Sequence, residues 1–104
     1  MKNFLLLPED IYIEINGIKL ASIKSYDIYN SKKLINIKLS KISFVDENNF
    51  LEFFKLSNFN LVIFKPNSQL IFSGCNWEYI SETAQIEKPI LNSLSLVAQR
   101  QIII

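Results

Sequence analysis

Apolar and polar residues alternate with a period of two along most of this chain, and turn signals separate the alternating stretches. That is the pattern of strands with one buried face. Ile11-Tyr12-Ile13-Glu14-Ile15 is the clearest case, and Asn16-Gly17 follows it at once. Asn-Gly suits a two-residue hairpin turn, which needs positive φ at both central positions. The pair therefore predicts a hairpin whose returning strand is Ile18 to Ile23. Tyr26-Asp27-Ile28-Tyr29 extends that strand, and Asn30-Ser31-Lys32-Lys33 reads as a turn or loop. Leu34 to Phe44 is a second long strand. Ile35, Ile37 and Leu39 share one face, but after Lys41 the apolar residues move to even positions. An inserted residue, a β-bulge, would produce such a slip.

The period changes once. Asp46-Glu47 offers an N-cap and an acidic first turn. Phe50, Phe53, Phe54 and Ser57 then follow helical spacing, with Leu51 and Leu56 widening the face. About three turns of helix are expected, lying across a sheet or plugging a barrel end. Phe59 to Lys65, a turn at Pro66-Asn67-Ser68, and Gln69 to Ser73 predict a second hairpin. Gly74-Cys75-Asn76 suggests a bulge or a close backbone approach. Trp77 to Ile80 continues extended, and Ser81 to Gln85 reads as a loop. Pro89 precedes a last strand region, Leu91 to Ile104, in which Leu94, Leu96 and Ala98 share a face. The expected class is α+β and β-rich: a small antiparallel β-barrel or sandwich with one short helix, in a single domain over residues 1–104.

Composition removes chemistry more than it adds any. There is no His, one Cys, and two isolated Gly in 104 residues. The commonest general base and metal ligand is thus missing, and a zinc site would need several Cys or His residues. No glycine-rich phosphate loop is present. Cys75 has no His to activate it, so a structural thiol is expected there. The pairs Glu9/Asp10 and Asp46/Glu47 read as a solvated loop and a helix start. The expectation is no enzyme and no cofactor. The formal net charge is +1, from 11 basic and 10 acidic residues. A specific nucleic-acid partner would need a basic face, so none is expected, nor is a membrane anchor. The start, Met1 to Pro8, faintly resembles a signal peptide, but its apolar stretch is short and lacks a small-residue cleavage site.

With 49% apolar residues, the chain has enough to build a core and some left over for other chains. Two regions are candidate assembly contacts. Tyr26, Ile28 and Tyr29 lie between long strands. Ile102, Ile103 and Ile104 would be an aggregation hazard at a free end unless buried here or against another chain. An alternative function is a monomeric β-barrel binding module, recognising a peptide or glycan through Phe72, Trp77 and Tyr79.

Taken together, several segments resemble the small tail proteins of contractile bacteriophages and of phage-tail-like bacteriocins. They are the Ile11-to-Gly17 strand and turn, the Ile18-to-Phe44 hairpin, the Asp46-to-Leu56 helix, Leu61 to Pro66, Ile71 to Trp77, and Leu94 to Ala98. The resemblance implies a β-barrel subunit with one flanking helix that forms rings, hexameric in that family. The rings stack into the inner tube or cap it near the baseplate. It implies copies of itself and other tail proteins as partners. It also implies synthesis in the bacterial cytoplasm and assembly into a virion or tail-like particle. At 104 residues the chain is short for a main tube subunit, which leaves room for a minor tail or baseplate part.

Overall fold

The structure, a computed structural model, describes residues 11–46, 50–81 and 90–103. The expected loop at 82–85, Pro89, and the acidic residue Glu47 lie outside them, as do Met1 to Asp10 and Ile104. Eight strands and one helical turn follow in order: β1 (Ile11–Ile15), β2 (Ile18–Ile23), β3 (Ser25–Ser31), β4 (Leu34–Phe44), α1 (Phe50–Phe53), β5 (Phe59–Lys65), β6 (Ser68–Ser81), β7 (Ile90–Ala98) and β8 (Arg100–Ile102).

All the pairings are antiparallel. The path runs β2-β1-β5-β6-β7-β4, and β2 pairs β4 to close it, giving a six-strand barrel. The barrel alternative is therefore the right one and the sandwich is not. The α+β description is only loosely met, since one helical turn stands beside eight strands. Closure leaves no edge inside the ring of strands. Two strands stand outside it: β3 pairs β4, and β8 pairs β6.

The first hairpin forms as its turn residues require. Ile15 pairs Ile18, while Asn16 and Gly17 have φ of 51° and 85°. Asn16 also fixes the turn to the next strand: its Oδ1 accepts the Asn60 N–H at 2.8 Å, and its own N–H donates to the Asn60 carbonyl at 2.9 Å. The β3–β4 connection is the same kind of two-residue turn. Ser31 pairs Leu34 around Lys32 and Lys33, whose φ values are 53° and 71°. Neither lysine suits a conformation that crowds Cβ. The cross-strand ladder on both sides over-determines it.

The slip in β4 has a different cause from the expected bulge. Ser40 pairs Ser93 and Ile42 pairs Leu91, so the register with β7 is unchanged across Lys41. No residue is inserted. Lys41 instead takes a φ of 55°, which reverses the facing locally and turns both Leu39 and Ile42 inward. The true register shifts are elsewhere, at Ile13/Glu14, Phe59/Leu61 and Trp77/Tyr79. The second lies beside Gly74, at φ +66°, where the expected irregularity does occur. The Gln99 N–H donates to both the Ser73 and Gly74 carbonyls there.

The described part of the helix is the single turn Phe50–Phe53; residues 47–49, at the expected helix start, lie outside the described residues, and the described turn ends before the expected Leu56. α1 is four residues long, and the chain leaves it through bonds from Phe54, Lys55 and Leu56 N–H to the carbonyls three residues back. Such bonds tighten a last turn and end it. Packing explains the early stop. Phe54 meets Phe44 and Trp77 edge-to-face at 5.8 and 5.2 Å, and the Trp77 Nε1–H donates to the Phe53 carbonyl at 2.9 Å. That carbonyl also accepts the Leu56 N–H at 3.2 Å, so both of its lone pairs are taken and none is left for a following helical N–H. The segment thus lies against the barrel beside Phe44, Phe59 and Trp77.

The core is one apolar cluster. Ile13, Ile15, Leu20, Ile37, Leu39, Phe59, Leu61, Ile63, Phe72, Leu94 and Leu96 are all fully buried within it. Among the described residues no polar or charged side chain is buried. An interior so uniform stabilises by burial alone, at about 25 cal/mol per Å².

Candidate functional site

The barrel is filled by its apolar core. Its outer geometry is dominated by the two strands that the closed path leaves over. β2 and β3 form one strand bent at Lys24, because both keep a single register against β4: Ser22 pairs Ser43 and Ser25 pairs Ser40. β4 takes one edge of this long strand, and β1 takes the other edge as far as Ile23, which pairs Ile11. From Ser25 onward that second edge has no partner strand among the described residues. Tyr26 and Ile28 are half-buried against the core, whereas Tyr29 faces outward with 60% of its surface exposed. The Lys65 ammonium lies 5.7 Å from the Tyr26 ring, close enough for a weak cation–π attraction.

β8 continues β7 past Gln99 in the same register on β6: Asn76 pairs Val97 and Ser73 pairs Arg100. Ile71 and Phe72 of β6 are already paired with β5 on the opposite side. Among the described residues no strand pairs the outer edge of β8. Arg100 is anchored there by a bond from Nη1 to Ser73 Oγ at 3.2 Å. Beyond it Ile102 and Ile103 are 43% and 80% exposed. A half-open groove of about 310 Å³ runs along this ladder, lined by Gln69, Leu70, Ile71, Gln101, Ile102 and Ile103. It carries no charge and no acid or base.

The two candidate regions thus fall on the two strands outside the barrel. They are not brought together into one site, and Ile104 lies outside the described residues. What the alternation did not reveal is that both strands have open edges. The signal was there only as a surplus: more alternating segments than a closed six-strand ring needs.

The aromatic alternative fares differently. Phe72 is fully buried. Trp77 is half-buried between Phe54 and Phe59, the latter centred 4.6 Å away, and its indole N–H is already bonded. Tyr79 continues β6, and its side chain is outside the described set. No free stacking platform is built from Phe72 and Trp77.

Burial pushes the Cys75 thiol up to about 12, against a weaker opposing pull from a backbone hydrogen bond with Leu61. The thiol is protonated at neutral pH and is no nucleophile. Among the described residues, no group of three or more His, Cys, Asp or Glu side chains could hold a metal ion, and no helix is long and apolar enough to cross a membrane. No protein-family model, curated protein or solved structure matches the chain.

Proposed function

We propose that this chain is a structural subunit that acts by binding copies of itself, as a tube-type or baseplate-type part of a phage-tail-like particle. The observation that carries this reading is the open outer edge of β8, which ends in exposed Ile102 and Ile103. An apolar strand edge left unpaired is a template for another chain. The closed barrel with a small flanking helical segment is the form the family resemblance implies. An uncharged, wholly apolar interior fits a part whose work is done at its surface. Pairing of unlike surfaces by rotation gives closed rings, and the outward face of β3 with Tyr29 offers a second surface for it. The partners on this reading are other copies of the chain and other tail proteins. Synthesis is in the bacterial cytoplasm, followed by incorporation into the particle.

The test is to place charge on the edge. Ile102→Lys with Ile103→Lys is expected to abolish assembly in sedimentation velocity while leaving the melting temperature of the subunit unchanged, since both side chains are exposed. Assembly that survives the double substitution would remove β8 from the interface.

A further inference from the structure

Neighbouring strands run in opposite directions, so every connection falls at one of two ends of the barrel. The β3–β4 turn, the β5–β6 turn and the tip of β8 share the first end. β4 begins beside the last residues of β7, and β8 runs on toward the start of β6. The β1–β2 turn, the end of β4 and the α1 segment share the second end. Among the described residues, the large apolar side chains that stand exposed gather at these two ends. Tyr29, Leu34, Ile102 and Ile103 are at the first, and Ile18, Val45, Leu51 and Leu56 are at the second.

Charge divides between the same ends. The described charges toward the first are Lys32, Lys33, Lys65 and Arg100, with Asp27 as the acid, lying opposite Lys38 in the ladder. Toward the second they are Glu14, Asp46, Glu52 and Glu78 against Lys19, Lys41 and Lys55. Glu14 lies opposite Lys19, and Glu52 is bridged to Lys55 at 3.4 Å. The first end is therefore basic and the second weakly acidic. We propose that the two ends are complementary, and that the first end of one copy seats on the second end of the next. The proposal rests on the self-association argued above. It names what Ile102 and Ile103 meet there: the apolar side chains around α1.

A second copy is the favoured partner because the chain carries its own complement. Two first ends brought together would set Lys32 and Lys33 against like charges, whereas unlike ends set them against acids. The apolar side chains supply the affinity of such a contact, and the charges decide which end meets which. A contact between unlike ends repeats from copy to copy, so it builds a series and not a closed pair. The lysines of the first end are also held against local preference. Lys32 and Lys33 stand at φ of 53° and 71°, in a turn of the kind that Asn16-Gly17 fills with residues suited to it. Strained residues of this sort collect at functional sites, and a charged tip for a partner gives these two a use.

The test exchanges the charges and then mixes the products. Lys32→Glu with Lys33→Glu makes both ends acidic. Glu52→Lys with Glu78→Lys makes both ends basic. All four side chains are exposed, and the Glu52–Lys55 bridge, exposed at both partners, holds little of the fold. In sedimentation velocity at low salt, each variant alone should associate at least about tenfold more weakly than the unaltered chain, and an equimolar mixture of the two should recover the association. Added salt should narrow these differences without dissolving the unaltered assembly. Lys32→Asn with Lys33→Gly should melt higher than the unaltered chain yet associate more weakly, which separates the lysines' part in contact from any part in folding. Variants that associate alone as well as the unaltered chain, or a mixture no better than its components, would overturn the pairing of ends while leaving self-association in place. An unaltered chain that never associates would overturn both.

Discussion

Among the described residues, five non-glycine residues hold positive φ: Asn16, Lys32, Lys33, Lys41 and Asn58. For an ordinary side chain this conformation costs about 1 kcal/mol or more, so the lysines are places where the fold overrules local preference. Replacing Lys32-Lys33 by Asn-Gly should raise stability by about 1 kcal/mol in urea unfolding, because these residues fit the turn already present. The reverse holds at Gly17, at φ +85° with open space around it: Gly17→Ala should cost about 1 kcal/mol through the backbone alone. Gly74→Ala should cost more, since its added Cβ would also meet the Gln99 side chain at 3.0 Å. Cys75 makes a prediction about pH. Burial pushes its thiol up to about 12, from an ordinary value of 9.0. The unfolded chain therefore loses the proton first, and stability that is intact below about pH 9 falls as pH rises toward 12. Alkaline unfolding of Cys75→Ala should lack that component. In the native protein the thiol should also resist a disulfide reagent until the chain is unfolded. The sequence made Asn16-Gly17 and Gly74 readable because those residue types are selected by the backbone they adopt. Lys41 could not be read that way, since a lysine carries no mark of a left-handed conformation.

At the scale of elements, period-two alternation located the strands well because each has one face on a dry core. Leu94, Leu96 and Ala98 are buried while their neighbours are not, and β1 and β5 behave alike. The helix ends earlier at its C-terminal side than the spacing implied, because spacing reports which residues share a face and not whether the backbone continues. Phe53 and Phe54 satisfy helical spacing, yet tertiary contacts at Trp77 decide where the turn ends. That assignment has a consequence. Trp77→Phe keeps a ring beside Phe54 and Phe59 but removes the 2.9 Å indole donor from the Phe53 carbonyl, which keeps only the 3.2 Å bond from the Leu56 N–H. A loss of roughly 1–2 kcal/mol is expected, with reduced near-ultraviolet circular dichroism and faster amide exchange in residues 51–56. An unchanged exchange pattern would mean that the indole bond does not hold the segment. The open edges of β3 and β8 were invisible to alternation, because pairing partners are set by closure of the barrel and not by any one strand's pattern.

At the scale of the whole molecule, the described barrel interior is apolar, and two strands, β3 and β8, stand outside the closed ring. Closure uses six strands, and among the described residues none pairs β8 on its outer side, where Ile103 is 80% exposed. Substitution of Ile103 should therefore change association by far more than stability, which should move by no more than about 0.5 kcal/mol. Salt should not dissolve the assembly, since the contact is apolar and the net charge is only +1. The most direct measurement is light scattering on the size-excluded protein across a wide concentration range, with negative-stain imaging of the largest species. Self-assembly as the function predicts a mass that grows beyond the 12.1 kDa subunit into discrete rings or short tubes with a central hole. A 12.1 kDa monomer at every concentration, with no ring or tube in any image, would contradict it.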